Sequence, residues 1–329
     1  MIIPYSHESI RLTGRWDTSD ASCAITTAKG SYIEFAFEGK IAVACFDIKT
    51  NSYPRQHLWI QIDGGDMVET AIDLYVRVIA KTNGAHVCRI IVKSGAENES
   101  RWFAPITGGV NFLGVIVEKT VTISADERPV IEFVGDSITE GVHTDVDFCS
   151  KHDRAQYDWQ ELLVYQNDVC ATYAWLIAET LGFRPIFMGY GGLGVTAIGI
   201  GNVPAADISY PCNFDGSPIT HSGVPKYIVI NHGANDRNNP DTYLSKYAIT
   251  LDVIRKHNPD AAIIVLSAFC GAFHKELGEM VERYNAENNC NITYIDSHGW
   301  VPVEPLHPSR DSHRIIASKV VAVIKELNS

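Results

Sequence analysis

The stretch "VIEFVGDSITEG", residues 130–141, joins an apolar run to a glycine, an aspartate and a serine. A short continuous apolar run of this kind is typical of a strand buried on both faces of a parallel sheet. Such sheets bind ligands at the carboxyl ends of their strands. Ser137 is therefore expected at such an end, where it can either cap the following helix or act as a nucleophile.

The pattern around this stretch predicts an α/β domain over residues 127–329. Short apolar runs alternate there with helical patterns. This alternation predicts a parallel sheet with helices on both faces, a three-layer α/β/α, flavodoxin-like architecture. The runs predicted as strands are "PVIEFVG", "RPIFMGY", "KYIVINHG", "AAIIVLSAF" and "NITYID". The segments predicted as helices are "DVCATYAWLIAETLG", "DTYLSKYAITLDVIRKHN", "HKELGEMVERYNAEN" and "DSHRIIASKVVAVIKELN".

Residues 1–126 have a different pattern, in which apolar side chains recur at every second position and so lie on one face of an extended segment. Ile33, Phe35 and Phe37 mark one face of such a segment, and a turn is predicted at Gly39 before the alternation resumes. Alternation between Gly, Asn and Asp turns indicates antiparallel strands. Many short strands with no convincing helix predict an all-β, jelly-roll-like sandwich domain.

The overall charge limits the kinds of partner. A net charge of −12 over 329 residues gives little reason to bind a phosphate backbone or an anionic membrane surface. No stretch approaches the roughly 18 apolar residues of a membrane span, and the N-terminus lacks the pattern of a secretory signal. We therefore expect a cytoplasmic protein with no nucleic-acid or membrane partner. No spacing of ligand residues indicates a metal ion, and a homo-oligomer remains open.

A serine nucleophile needs a base to accept its proton and donors aimed at the oxyanion that develops. Candidates for both follow other predicted strands. Gly192 lies in "GGLGVT", and Asn235 lies in "NHGANDRNN". His307, in a proline-bounded loop, is the candidate base, and Glu304 three residues earlier could orient its ring.

The same glycine segment, "GYGGLG", also satisfies the GxGxxG pattern of dinucleotide sites. It follows the second predicted strand of the domain, however, and no acidic residue ends a further strand at the expected distance. We therefore expect no nucleotide and no other cofactor.

In order and spacing, these segments resemble the four motif blocks of the SGNH or GDSL hydrolase superfamily. Glycine stands where the second block usually has a serine, and glutamate stands where the fourth block usually has an aspartate. The blocks are Gly135-Asp136-Ser137, Gly191-Gly192, Gly233-Ala234-Asn235-Asp236 and Glu304-Pro305-Leu306-His307-Pro308.

The resemblance implies a role for each matching residue. Ser137 would be the nucleophile, and His307 would act as general base and then as general acid. The backbone N–H groups of Ser137 and Gly192 would form the oxyanion hole with the side-chain amide of Asn235. Whether Glu304 completes a triad or the site works as a Ser–His dyad remains open.

The N-terminal half resembles the β-sandwich that precedes the SGNH domain in carbohydrate esterases of family two. The segments that carry this resemblance are "RLTGRWD", "GSYIEFAFEG", "WIQIDGG" and "VCRIIVKSGAENESRWF". It implies an acetylesterase that removes O-acetyl groups from acetylated sugars or plant-type oligosaccharides. The alternatives are a lysophospholipase or thioesterase on the same scaffold, and a non-catalytic glycan-binding protein with a degenerate site.

Three further features are candidates for substrate contact. Trp300 could stack on a sugar ring or serve only in packing. Asp136 could reach substrate or only tie its loop by hydrogen bonds. Residues 142–167 form a long insertion rich in Asp, His, Tyr and Trp, and loops of this length are often functional. Our hypothesis is that the insertion walls the acyl pocket or contacts another subunit.

Overall fold

The N-terminal part of the chain is an antiparallel sheet. The structure, a computed structural model, describes residues 2–146, 158–220 and 222–327. Nine strands belong to this sheet within the described residues. They are β1 (Ile3–Pro4), β2 (Ile10–Thr13), β3 (Ala24–Thr26), β4 (Tyr32–Asp47), β5 (His57–Ile62), β6 (Val68–Ala71), β7 (Tyr75–Ile79), β8 (Ala85–Ser94) and β9 (Val110–Val121).

Strand β4 is the centre of this sheet, since β2, β7, β8 and β9 all pair with it. The turn predicted at Gly39 is wrong, because β4 runs through this position. The pairing of β4 with β9 changes register between Glu38 and Ala42, and Gly39 has a φ of +119°. The glycine therefore supplies a bulge in a continuous strand. The all-β prediction is confirmed for these residues, whereas the jelly-roll assignment and the boundary at residue 126 stay predictions.

The C-terminal part contains the predicted parallel sheet. The strands of this part are β10 (Val130–Gly135), β11 (Arg184–Gly189), β12 (Cys212–Phe214), β13 (Ser217–Pro218), β14 (Pro225–Asn231), β15 (Ala262–Leu266) and β16 (Thr293–Ile295). The parallel sheet has the order β11-β10-β14-β15-β16, which is the flavodoxin-like order, and every neighbouring pair is parallel. A short hairpin, β12–β13, lies apart from it.

Helices cover both faces of the parallel sheet. Ile177 and Val320 belong to the buried apolar cluster on one face, and Leu251 and Val281 belong to the cluster on the other. The described helices are α1 (Ser137–Glu140), α2 (Trp159–Gln166), α3 (Tyr173–Leu181), α4 (Ala206–Ser209), α5 (Pro240–His257), α6 (His274–Asn288) and α7 (Arg310–Leu327). None of them combines the length and the apolar character that crossing a bilayer requires.

The two parts of the chain share buried contacts. Tyr32 of β4 belongs to the apolar cluster of the parallel sheet and meets Trp175 edge-on, with ring centroids 6.3 Å apart. Arg15, before β3, donates to the Glu132 carboxylate of β10 at 2.7 Å, and both side chains are buried. The first half of β4 is buried on both faces although its sequence alternates, and the contact of Tyr32 with the parallel sheet accounts for part of this burial.

Strand order positions the functional residues. The chain passes from β10 to β11 on one side of the sheet and later places β14 on the other side of β10. The carboxyl ends of β10 and β14 therefore flank the point where the strand order reverses, which is where open α/β sheets bind ligands. Ser137 follows β10 and Asn235 follows β14.

Candidate active site

Ser137 is the first residue of α1, directly past the carboxyl end of β10. The Asp136 carboxylate accepts a hydrogen bond from the Ile138 N–H at 2.9 Å and caps the helix. The alternative in which Ser137 is the cap is therefore wrong, and its hydroxyl is not used for that purpose. Ser137 is 8% exposed, so solvent still reaches it.

His307 lies in the loop before α7, and its Nε2 is 3.0 Å from Ser137 Oγ. Burial and the neighbouring His143 lower the pKa of His307 to about 4. The imidazole is therefore neutral near pH 7 and can accept the proton of the serine hydroxyl. This distance is within the range that general-base catalysis requires.

The glycine loop after β11, residues 190–194, presents the amide of Gly192. The Gly191 N–H donates to Glu140 Oε2 at 2.5 Å, and the Leu193 N–H donates to the Tyr190 carbonyl at 3.0 Å. Between them, the Gly192 N–H makes no hydrogen bond to any described residue. The Ser137 N–H likewise has no partner among residues 2–146, 158–220 and 222–327. Two backbone donors are thus available to a ligand oxygen.

Asn235 reaches the nucleophile loop through its side chain. Its Nδ2 donates to the Leu193 carbonyl at 3.0 Å and lies 3.3 Å from Asp136 Oδ2. Burial raises the pKa of Asp136 to about 7, and the nearby Asp236 carboxylate acts in the same direction. Asp136 is thus placed as a helix cap and a partner of Asn235, which is the loop-tying alternative.

Glu304 is not brought to His307. Its side chain is exposed, and no hydrogen bond or ion pair joins it to the imidazole. The Nδ1 atom of His307 donates no hydrogen bond to a carboxylate in the described part of the chain. An exposed carboxylate keeps its hydration and is a poor orienting group for a half-buried ring. The geometry contains a Ser–His pair, and Glu304 does not extend it.

His143 is the functional candidate that the sequence did not reveal. Its ring centroid is 5.0 Å from that of His307 and 5.8 Å from that of Trp159, at the start of α2. Burial lowers the pKa of His143, and its Nε2 is buried without a partner among the described residues. A histidine in the polar segment "HTDVD" gave no signal of this contact.

The described part of the insertion, residues 142–146 and 158–167, therefore lies beside the catalytic candidate. Trp300, in contrast, packs against the apolar cluster of the parallel sheet, with Lys319 Nζ 5.2 Å from its ring centroid. Residues 147–157 of the insertion lie outside the described residues. In the part of the chain that is described, no group of three or more His, Cys, Asp and Glu side chains could hold a metal ion.

Similarity to solved structures extends over the whole chain. A family two carbohydrate esterase from Cellvibrio japonicus has a TM-score of 0.79 at 19% identity, covering 99% of this chain and 97% of that one. A family two carbohydrate esterase from Clostridium thermocellum, in complex with cellohexaose, has a TM-score of 0.75 at 22% identity, covering 96% and 98%. An acetyl xylan esterase from the rumen bacterium Butyrivibrio proteoclasticus has a TM-score of 0.76 at 17% identity, covering 98% and 96%.

The resemblance inferred from the sequence motifs is thereby confirmed at the level of fold. The chain has the fold of the family two carbohydrate esterases, in its N-terminal as well as its C-terminal part. No protein-family model matches the sequence, and no curated protein matches it in a sequence comparison.

Proposed function

We propose that this protein is a serine esterase that removes O-acetyl groups from acetylated sugars or oligosaccharides. The observation that carries the proposal is the 3.0 Å contact between Ser137 Oγ and the Nε2 atom of His307. A neutral imidazole in this position can activate the serine. The similarity to carbohydrate esterases of the same fold supports the choice of an acetylated carbohydrate as substrate.

The proposed reaction has two stages. Ser137 Oγ attacks the ester carbonyl carbon while its proton passes to His307 Nε2. The tetrahedral intermediate then collapses, the bond to the sugar oxygen breaks, and His307 returns the proton to the leaving alcohol. In the second stage, water attacks the acetyl group on Ser137 as His307 takes its proton. Acetate leaves and the serine is regenerated, so no cofactor is consumed.

We assign the oxyanion hole to the N–H groups of Ser137 and Gly192 and to the Asn235 amide. The two backbone donors have no other described partner, so they can bind an oxyanion without breaking a bond. The Asn235 amide can exchange its 3.3 Å contact with Asp136 for the oxyanion and keep the shorter bond to Leu193. Donors fixed in advance act most strongly in a site that excludes water.

We further propose that the site works as a Ser–His dyad and that the insertion forms one wall of the acyl pocket. The first proposal rests on the exposure of Glu304 and the second on the ring contacts of His143. A wall of aromatic rings close to the imidazole favours a small acyl group such as acetyl over a long chain.

The test compares acetate release from acetylated manno- and xylo-oligosaccharides by wild type and Ser137→Ala, with long-chain aryl esters as second substrates. Turnover of the acetylated sugars that is lost in Ser137→Ala supports the proposal. Turnover of long-chain esters alone would replace it with the lysophospholipase or thioesterase alternative. Binding of acetylated oligosaccharide without turnover, by a folded wild-type protein, would identify a glycan-binding protein.

A further inference from the structure

Glu140 connects the nucleophile helix to the glycine loop. It is the last residue of α1, three residues after Ser137, and it is buried. Its Oε2 accepts the Gly191 N–H at 2.5 Å, and its Oε1 accepts a hydrogen bond from the Arg101 guanidinium. One carboxylate therefore touches the loop on one side and a cation on the other.

Arg101 comes from the N-terminal part of the chain, in the segment between β8 and β9. Its side chain is almost completely buried, and its guanidinium carbon lies 5.4 Å from the centre of the Tyr190 ring. Its backbone N–H donates to the Gly201 carbonyl at 3.0 Å, so Arg101 contacts both ends of the loop that contains Gly192. Burial alone would lower the pKa of Arg101, but Glu140 and Glu99 more than offset it and raise the pKa.

The Gly191–Gly192 segment needs such a tether because it lacks side chains that could hold it. Glycine has the largest conformational freedom of any residue, and Gly192 has a φ of +72°. The Gly191 N–H is held by Glu140 and its carbonyl by the Ile200 N–H at 2.7 Å. Fixing both polar groups of Gly191 determines where the next amide, that of Gly192, is directed.

We propose that Arg101 and Glu140 are positioning residues that aim the Gly192 N–H at the oxyanion, so that the N-terminal part of the chain helps to assemble the catalytic site. The inference rests on the proposed function, in which Gly192 is an oxyanion donor. An oxyanion donor must be held to within about half an ångström of its productive position. Losing the ion pair therefore lowers kcat more than it raises KM.

The chain offers a matched control in Arg15 and Glu132. This pair also joins the two parts of the chain, is equally buried, and has an Nη2–Oε1 distance of 2.7 Å. Arg15 donates in addition to the Tyr210 carbonyl, and Glu132 Oε2 accepts a hydrogen bond from the Tyr210 hydroxyl at 2.6 Å, so these contacts of the pair are made to Tyr210 and not to Gly191 or Gly192. Glu132→Gln therefore reports the general cost of disturbing a buried ion pair between the two parts.

The experiment measures kcat and KM for an acetyl ester in Glu140→Gln, Arg101→Met, Arg101→Lys and Glu132→Gln, each with its melting temperature. Removing an oxyanion donor outright costs about 10²–10³ in rate, so a misdirected donor should lower kcat by about 10–100-fold. We expect this loss of kcat in Glu140→Gln and Arg101→Met, and a partial recovery of kcat in Arg101→Lys. In Glu132→Gln we expect kcat to stay within about threefold of wild type, although its melting temperature should be similar to that of Glu140→Gln. Equal kcat losses in Glu140→Gln and Glu132→Gln would overturn the inference.

Amide hydrogen exchange of residues 190–194 separates this inference from the proposed function. Exchange in this loop should accelerate in Glu140→Gln and Arg101→Met and stay as in wild type in Glu132→Gln. If the wild-type protein lacked esterase activity while Glu140→Gln and Arg101→Met still exchanged faster than wild type in this loop, the tether would be retained and the proposed function rejected. Unchanged exchange together with unchanged kcat would reject the tether alone.

Discussion

Replacing His143 by asparagine should move the acid limb of the kcat/KM profile to higher pH. The His143 ring lies against the His307 ring, with centroids 5.0 Å apart. It therefore shields His307 from water, and it also adds an unfavourable interaction with the imidazolium form. Asparagine removes both effects, and it tolerates the φ of +56° at this position better than most residues.

The magnitude follows from the pKa of His307, which is lowered from 6.5 to about 4, with burial as the larger cause and His143 as the second. At about 1.4 kcal/mol per unit, the structure disfavours the imidazolium by roughly 3 kcal/mol. Removing His143 should recover the smaller part of this shift, because burial is the larger cause. The base works in its neutral form, so a higher pKa means that activity is lost at a higher pH.

The assay measures kcat/KM for a soluble acetyl ester from about pH 4 to about pH 8. The acid limb of this profile reports the pKa of the essential base in the free enzyme. His274→Asn, at a histidine that stacks on His298 and has no contact with His307, serves as the control. We expect the limb to shift in His143→Asn alone, with kcat/KM near wild type at the alkaline end. A wild-type limb near pH 6.5, or the same limb in wild type and His143→Asn, would refute the reasoning.

Three further predictions follow from the same geometry. Asn235→Ala should lower kcat by about 10²–10³-fold with little change in KM, because one oxyanion donor is lost; steady-state kinetics would contradict this if only KM rose. Glu304→Gln should leave kcat/KM within about threefold of wild type at pH 7, because this exposed side chain does not contact His307. A fall in kcat/KM of about 100-fold or more would instead support the alternative in which Glu304 completes a triad. Burial lowers the pKa of His313 to about 3, whereas the pKa of a histidine in the unfolded chain is roughly 6.5. As the pH drops below about 6.5, the unfolded state therefore binds a proton that the folded state does not. The free energy of unfolding should fall over this range, by on the order of 4 kcal/mol at about pH 3. Urea denaturation of wild type and His313→Gln checks this, since the variant should lose less stability over the same range.

The five strands of the parallel sheet and the four long helices could be predicted because their signals are local, whereas α2, α4 and the hairpin β12–β13 were not predicted. The buried strand that ends at Gly135 is a continuous apolar run, and the four long helices follow their apolar periodicity. The turn at Gly39 was wrong because glycine marks turns and bulges equally well in sequence. Pairing with a distant strand decides between them, and pairing has no local signal.

The candidate site was only partly predictable for the same reason. Ser137 and His307 lie in recognisable motifs, although 170 positions separate them. Arg101 and His143, in contrast, lie in charged or polar segments that resemble solvated surface. Their importance arises from burial against residues remote in sequence, as with Glu140 for Arg101 and His307 for His143. Glu304 was favoured by its spacing from His307 and by its place in the fourth motif block, but neither determines where an exposed side chain is directed.

The shared core has a consequence for how this fold can be divided or recombined. A Cβ atom added at Gly30 would lie 2.3 Å from the Phe187 ring, so the N-terminal backbone closes directly over an aromatic residue of β11. The side chain of Tyr32, also in the N-terminal part, meets the Trp175 ring edge-on. Cutting the chain after the antiparallel sheet would expose these rings to water and leave an apolar surface that promotes aggregation. We therefore expect the two sheets to unfold together, and a fusion that carries only one of them to lose stability.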